Sequence, residues 1–190
     1  VEHHQPLLRT EQRFPYPVAR DLVLQSVAPL GDDYLSRYRR FLAGGRIDVY
    51  ENDGKRSGAY NAGVYGVGPY LLLNYNDTMD AMFTFAHEAG HAMHTVLSYE
   101  KQPFVTADYT IFVAEVASNF NQALVRAHLL ETNKDRDFQI AVIEEAMSNF
   151  HRYFFIMPTL ARFELELHER AERGDALTAD SMIALMADRF

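Results

Sequence analysis

The 190-residue chain contains no cysteine and no tryptophan. Without cysteine, neither a disulfide nor a thiolate zinc finger can form, so any metal must be held by histidine and carboxylate. Positive charge is scarce: 18 Lys and Arg stand against 26 Asp and Glu, a formal net charge of −8. That balance argues against nucleic acid and against an anionic membrane as partners. No apolar run approaches the roughly 20 residues of a transmembrane helix. The opening VEHHQPLLRT lacks a basic segment followed by an apolar one, so no signal peptide is visible and the expected compartment is the cytoplasm. Internal repeats and low-complexity linkers are also missing. What remains, 48% hydrophobic and 23% charged residues, is the composition of a soluble globular protein of about one domain.

Against those absences stands one dense stretch, TFAHEAGHAMH, from Thr84 to His94. It contains the H-E-x-x-H pattern in His87, Glu88 and His91. On a helix the two histidines lie one turn apart, about 6 Å along the axis, and project from the same face. Both imidazoles can then reach one Zn²⁺ at about 2.0–2.1 Å. Glu88, beside the first of them, can take a proton from an attacking water. The helix is supported locally: Asp77 is the expected cap, Asp80 falls in the first turn, and no proline interrupts Asn76 to Tyr99. The competing reading is two surface histidines on an ordinary amphipathic helix. Phe85, Ala86, Ala89, Met93 and Val96 weaken it, because they make the histidine face buried.

A catalytic zinc usually has three protein ligands and an open position. His94 shares the face of His87 but lies about 10 Å along the axis, too far to join it on one ion. It reads as an orienting or packing residue. Glu115, in FVAEVASNFNQA, is a carboxylate among Phe112, Val113, Val116 and Ala117. Burying it without a partner is costly, which makes it the candidate third ligand. Asn119, one turn on, is placed to accept from the other ring nitrogen of a zinc histidine.

Around this stretch the periodicity predicts a mainly helical chain with a small antiparallel sheet. Helices are expected over 17–30, 33–43, 76–99, 109–131, 136–173 and 179–190, with a kink or boundary near Met157 imposed by Pro158. Strands are expected at Ile47–Tyr50 and Pro69–Tyr75, the latter a buried or edge strand able to pair with an extended peptide. Gly58, Gly63, Gly66 and Gly68 would let another backbone or a ligand come close. His3 and His4, adjacent and therefore unable to share a face, read as solvated.

The motifs together resemble the M3 zinc metallopeptidases, and within them the oligoendopeptidase F branch. The resemblance rests on GKRSGAY (Gly54–Tyr60), PYLLLNYNDT (Pro69–Thr78), TFAHEAGHAMH and DYTIFVAEVASNFNQALV (Asp108–Val125), and it weakens through PTLARFELELHE (Pro158–Glu169). It implies a zincin-like catalytic core that binds one Zn²⁺ per chain through His87, His91 and Glu115, with Glu88 as general base. It further implies short unfolded peptides as substrates. Residues 58–75 match the family's sheet segment beside the active site, where Gly58, Ala59, Tyr60 and Tyr70 are the substrate-binding candidates. Gln122 departs from the pattern, standing where the branch is expected to carry glutamate. Family members are about three times longer, so residues 1–190 read as one catalytic domain within a longer architecture. Self-association, or association with further segments of such a chain, is therefore expected. Two rival readings stay open. One is a zinc hydrolase of another amide or ester; the other is a metal-binding core with little turnover, lacking its oxyanion donors. Tyr60, Tyr65, Tyr70 and Tyr75, then His151 and Tyr153, are the candidates for such donors inside this chain.

Overall fold

In the computed structural model, which describes residues 12–189, proline and glycine punctuate the first elements. Pro15 and Pro17 flank the start of α1 (Tyr16–Ser26), where missing N–H donors cost nothing. Pro29 cannot extend that ladder, so the segment expected to be helical to Leu30 closes as a 3₁₀ turn over Ala28–Leu30. Gly31, at φ 89°, then leads into α2 (Asp32–Ala43). His3 and His4 lie outside the described residues.

Three strands follow: β1 (Ile47–Tyr50), β2 (Tyr60–Val64) and β3 (Gly68–Tyr75), in the order β1-β3-β2. β2 runs antiparallel to β3, whereas β1 runs parallel to it, so the small sheet is mixed. Pro69–Tyr75 is therefore the central strand and has no edge to offer a peptide. Its alternation shows only which face is covered: Pro69, Leu71, Leu73 and Tyr75 are all buried on one face. Among the described residues, the open edges belong to β1 and β2.

The long helix α3 (Met79–Lys101) packs against that buried face and against α4 (Ile111–Thr132). Val23, Tyr38, Leu73, Phe85, Met93 and Val125, all buried, belong to the one core these elements share. The cap of α3 is Thr78 rather than Asp77: its Oγ1 accepts from the Ala81 N–H at 3.1 Å. Asp77 stands one position earlier at φ 62°, in the left-handed turn that aims the chain into the helix. Asp135 caps the next helix, α5 (Arg136–His151), by accepting from the Phe138 N–H at 2.8 Å.

Two compact units divide the described chain, residues 12–142 and residues 143–189. The second holds the end of α5, a π-helical turn over Arg152–Ile156, α6 (Met157–Glu172) and α7 (Ala179–Arg189). The π turn answers the expected break at Pro158: a proline in the first turn of α6 cannot donate backwards, and the ladder widens just before it. Thr178 and Ser181 cap α7 reciprocally, each side-chain oxygen accepting from the other's N–H. Among the described residues, no helix is long and apolar enough to cross a membrane.

Candidate metal centre

His87 and His91 lie four positions apart on α3, and their rings meet edge to face with centroids 4.8 Å apart. Their Nε2 atoms are 3.2 Å apart. Glu115, reaching across from α4, places Oε2 3.2 Å from Nε2 of His87 and Oε1 3.7 Å from Nε2 of His91. One donor atom from each residue falls within a span of 4.8 Å.

Why α4 comes close enough is written at one position. Gly90, inside the motif, faces the α4 backbone. A Cβ there would lie 2.8 Å from the Ala117 carbonyl oxygen and 2.8 Å from Cα of Ser118. Any side chain at residue 90 would push the helix carrying Glu115 away.

The donor set fits a metal. Gln122 Oε1 lies 3.0 Å from Nδ1 of His87. An amide oxygen can only accept, so this contact pairs with the tautomer that carries the His87 proton on Nδ1 and leaves the Nε2 lone pair free. That lone pair faces the His91 Nε2 and a carboxylate oxygen across about 3 Å. Such a cluster of acceptors is satisfied only by a proton or a cation held among them. Two imidazoles and one carboxylate are the donors suited to a borderline divalent ion such as zinc. Burial and the neighbouring His87 hold the His91 pKa below the usual histidine value; Glu115 and the Ala114 backbone act in the opposite direction.

Glu88, the residue after His87, is 8% exposed. Burial, followed by the charge of Glu115, raises its pKa to about 7, and a hydrogen bond from the Asn61 backbone opposes the rise. That bond ties β2 to the site. The Asn61 side chain also donates to Thr95 Oγ1 at 3.2 Å, and Thr95 meets the Tyr109 hydroxyl at 2.6 Å. His94 stacks on Tyr109, centroids 3.8 Å apart, which makes it a packing neighbour of the centre. β2 can lie so close to α3 because of Gly63, where a Cβ would come 2.5 Å from the Tyr99 hydroxyl.

Several expected residues are placed differently. Asn119 donates to the Glu115 backbone carbonyl at 2.8 Å, and the group that meets a site histidine is Gln122. The reason is helical phase: Asn119, four positions past Glu115, folds back on its own helix, while Gln122, seven past, stays level with α3. Ser118, three past, donates to Glu115 Oε2 at 2.9 Å. The i+3 spacing of Ser118 from Glu115 is a local signal the sequence carries, whereas the reach of Gln122 to His87 depends on how α4 is offset against α3.

Tyr60 and Tyr70 leave the sheet on the face opposite α3. Asn61 pairs with Leu71 on the α3 side, whereas Tyr60 pairs with Leu72 and Tyr70 with Ala62 on the other. Tyr70 sits under the Arg46 guanidinium, 5.8 Å from the ring centroid. Gly58 gives its carbonyl to the Asn74 amide at 2.8 Å, and Ala59 packs against the core. The hydroxyls of Tyr75 and Tyr65 are already donating, to the carbonyls of Phe14 and Gln102. His151 and Tyr153 belong to the second unit, where His151 stacks on Phe155.

Comparison with known proteins agrees with these motifs. The family model of peptidase family M3 matches residues 24–190. The chain is 36% identical over 186 residues to the oligopeptidase PepF of Bacillus subtilis, covering 97% of this chain and 28% of that protein. It is 34% identical over 185 residues to an oligoendopeptidase F homolog of Lactococcus lactis, covering 97% of this chain and 31% of that one. A solved structure from Chlamydophila abortus superposes with a TM-score of 0.75 at 35% identity, over 97% of this chain and 32% of that chain. The chain thus spans less than a third of the length of these relatives.

Proposed function

The chain belongs to peptidase family M3, and on that footing we propose that it carries the zinc-binding catalytic core of an endopeptidase acting on short oligopeptides. The observation that supports this reading best is the convergence of His87, His91 and Glu115, with the buried Glu88 carboxyl next to the first of them. These three residues would hold one zinc ion, which when bound supplies Lewis acidity toward the scissile carbonyl and acidifies a water. Glu88 takes the proton of the attacking water and hands it to the departing amine. Its raised pKa suits both halves of that task at neutral pH. Gln122 and Ser118 keep the His87 ring and the Glu115 carboxylate in register.

The open edge of β2 is where an extended peptide would lie, because it is the sheet edge beside Glu88. The backbone from Gly58 through Ala59 and Tyr60 leads into that edge. Tyr60 and Tyr70, on the far face, would act through the strand itself. The oligopeptidase names of the relatives point to peptides rather than to other amides or esters.

The test is metal content of the purified chain together with cleavage of a quenched fluorescent peptide, using Glu88→Gln as control. Near-stoichiometric zinc with cleavage lost in the variant is the expected result. Zinc without cleavage in the parent chain would leave a metal-binding core. Absence of zinc would overturn the reading.

A further inference from the structure

His87 faces two demands at once. Its Nε2 must be free of a proton to hold a metal, and its Nδ1 faces a protein group at hydrogen-bond distance on a side chain only 17% exposed. The tautomer is therefore set by whatever faces Nδ1. That group is the carboxamide of Gln122, itself 6% exposed, with Oε1 at 3.0 Å.

A carboxamide is an unusual choice for this place on physical grounds. Turned by 180°, it would present its NH₂, donate to Nδ1 and drive the histidine proton onto Nε2, blocking ligation. As a neutral acceptor, it also withdraws less of the Nδ1 proton than a carboxylate would, leaving Nε2 the weaker base. Building on the metal reading above, we infer that Gln122 is the positioning residue that locks His87 in the Nδ1–H tautomer. Through its neutral amide it keeps the centre's hold on its metal looser than a carboxylate at the same place would. Looser donation from His87 leaves more positive charge on the ion and makes the ion easier to exchange.

Two measurements on the whole chain separate this from a packing role. The first is histidine side-chain ¹⁵N correlation NMR of the metal-free protein at about pH 8, above the ordinary histidine range, with the His87 signal assigned from a His87→Asn spectrum. The parent chain should show Nδ1 protonated and Nε2 bare. Gln122→Leu should shift His87 toward the Nε2–H form, and Gln122→Glu should keep the parental tautomer. The second is zinc affinity by chelator competition. Gln122→Leu should weaken binding by about 10- to 100-fold, while Gln122→Glu should bind more tightly than the parent and release the metal more slowly.

If Gln122→Leu is misfolded by circular dichroism, Gln122→Met replaces it at similar volume. An unchanged His87 tautomer in the apolar variant, or a parent chain with the proton on Nε2, overturns the inference. So does a Gln122→Glu chain that binds zinc no more tightly than the parent. If the parent binds no zinc while its tautomer responds as described, the metal reading fails and the positioning role stands.

Discussion

Glu88 is held where water would not choose to put it. Its carboxyl is buried and its pKa raised from the ordinary 4.5 to about 7, so in the metal-free protein folding favours the protonated form. The consequence has a definite sign. A group whose folded pKa is raised contributes its full share below the unfolded value. That share is lost as pH rises through the folded one. Metal-free wild-type protein should therefore weaken between about pH 4.5 and 7, and Glu88→Gln should not. At pH 8 we expect the variant to be more stable by about 2–3 kcal/mol, a melting temperature higher by about 5–10 °C. At pH 4.5 the two should melt together. Thermal melts of chelator-treated protein at the two pH values decide it; equal melting at both would mean that Glu88 is not strained.

Between elements, the decisive contact is the crossing of α3 and α4 at Gly90. Exchanging a mid-helix glycine for alanine ordinarily stabilises a helix by up to about 1 kcal/mol. Here the new methyl would press on backbone atoms at 2.8 Å, which cannot rotate away, and overpacking of that kind costs about 1–3 kcal/mol. Gly90→Ala should therefore destabilise the chain and weaken its zinc affinity by tenfold or more, because Glu115 moves with α4. An unchanged affinity by chelator competition would show that α4 yields without carrying Glu115 away. The sequence made α3 and the His87, His91 and Glu115 set legible, because the helical repeat is local and those residue types have few other reasons to share a face. It did not make the order of the sheet legible: a parallel β1 against a central β3 depends on which strand neighbours which, and strand periodicity is silent on that. Asn119 was placed by the right idea, a partner for a histidine nitrogen, but one turn short. The helix-to-helix offset that selects Gln122 is a tertiary quantity. Thr78 took the cap from Asp77 because the backbone at Asp77 turns left-handed, and composition does not record that.

For the whole molecule, the arrangement links metal to folding. His87, His91 and Glu115 converge only when α3 and α4 are packed, so a zinc ion held by them would bind the native state in preference to the unfolded one. Free zinc at a thousand times its dissociation constant should add about 4 kcal/mol to the stability of the unit spanning residues 12–142. Denaturant titrations with zinc and with chelator measure the increment directly. His91→Ala should abolish most of it. An equal increment in that variant would place the stabilising metal elsewhere.

All the groups that build the centre fall between His87 and Gln122, only 35 positions apart, on two consecutive helices joined by a short connection. The centre is therefore a low-contact-order object. Its loop closes at small entropic cost, since that cost grows only with the logarithm of the span. A helical hairpin of this kind can assemble early, before the sheet has found its mixed order. Evolution can also move it as a cassette: whatever is appended before α3 or after α4 leaves the chain segment that makes the donor set intact.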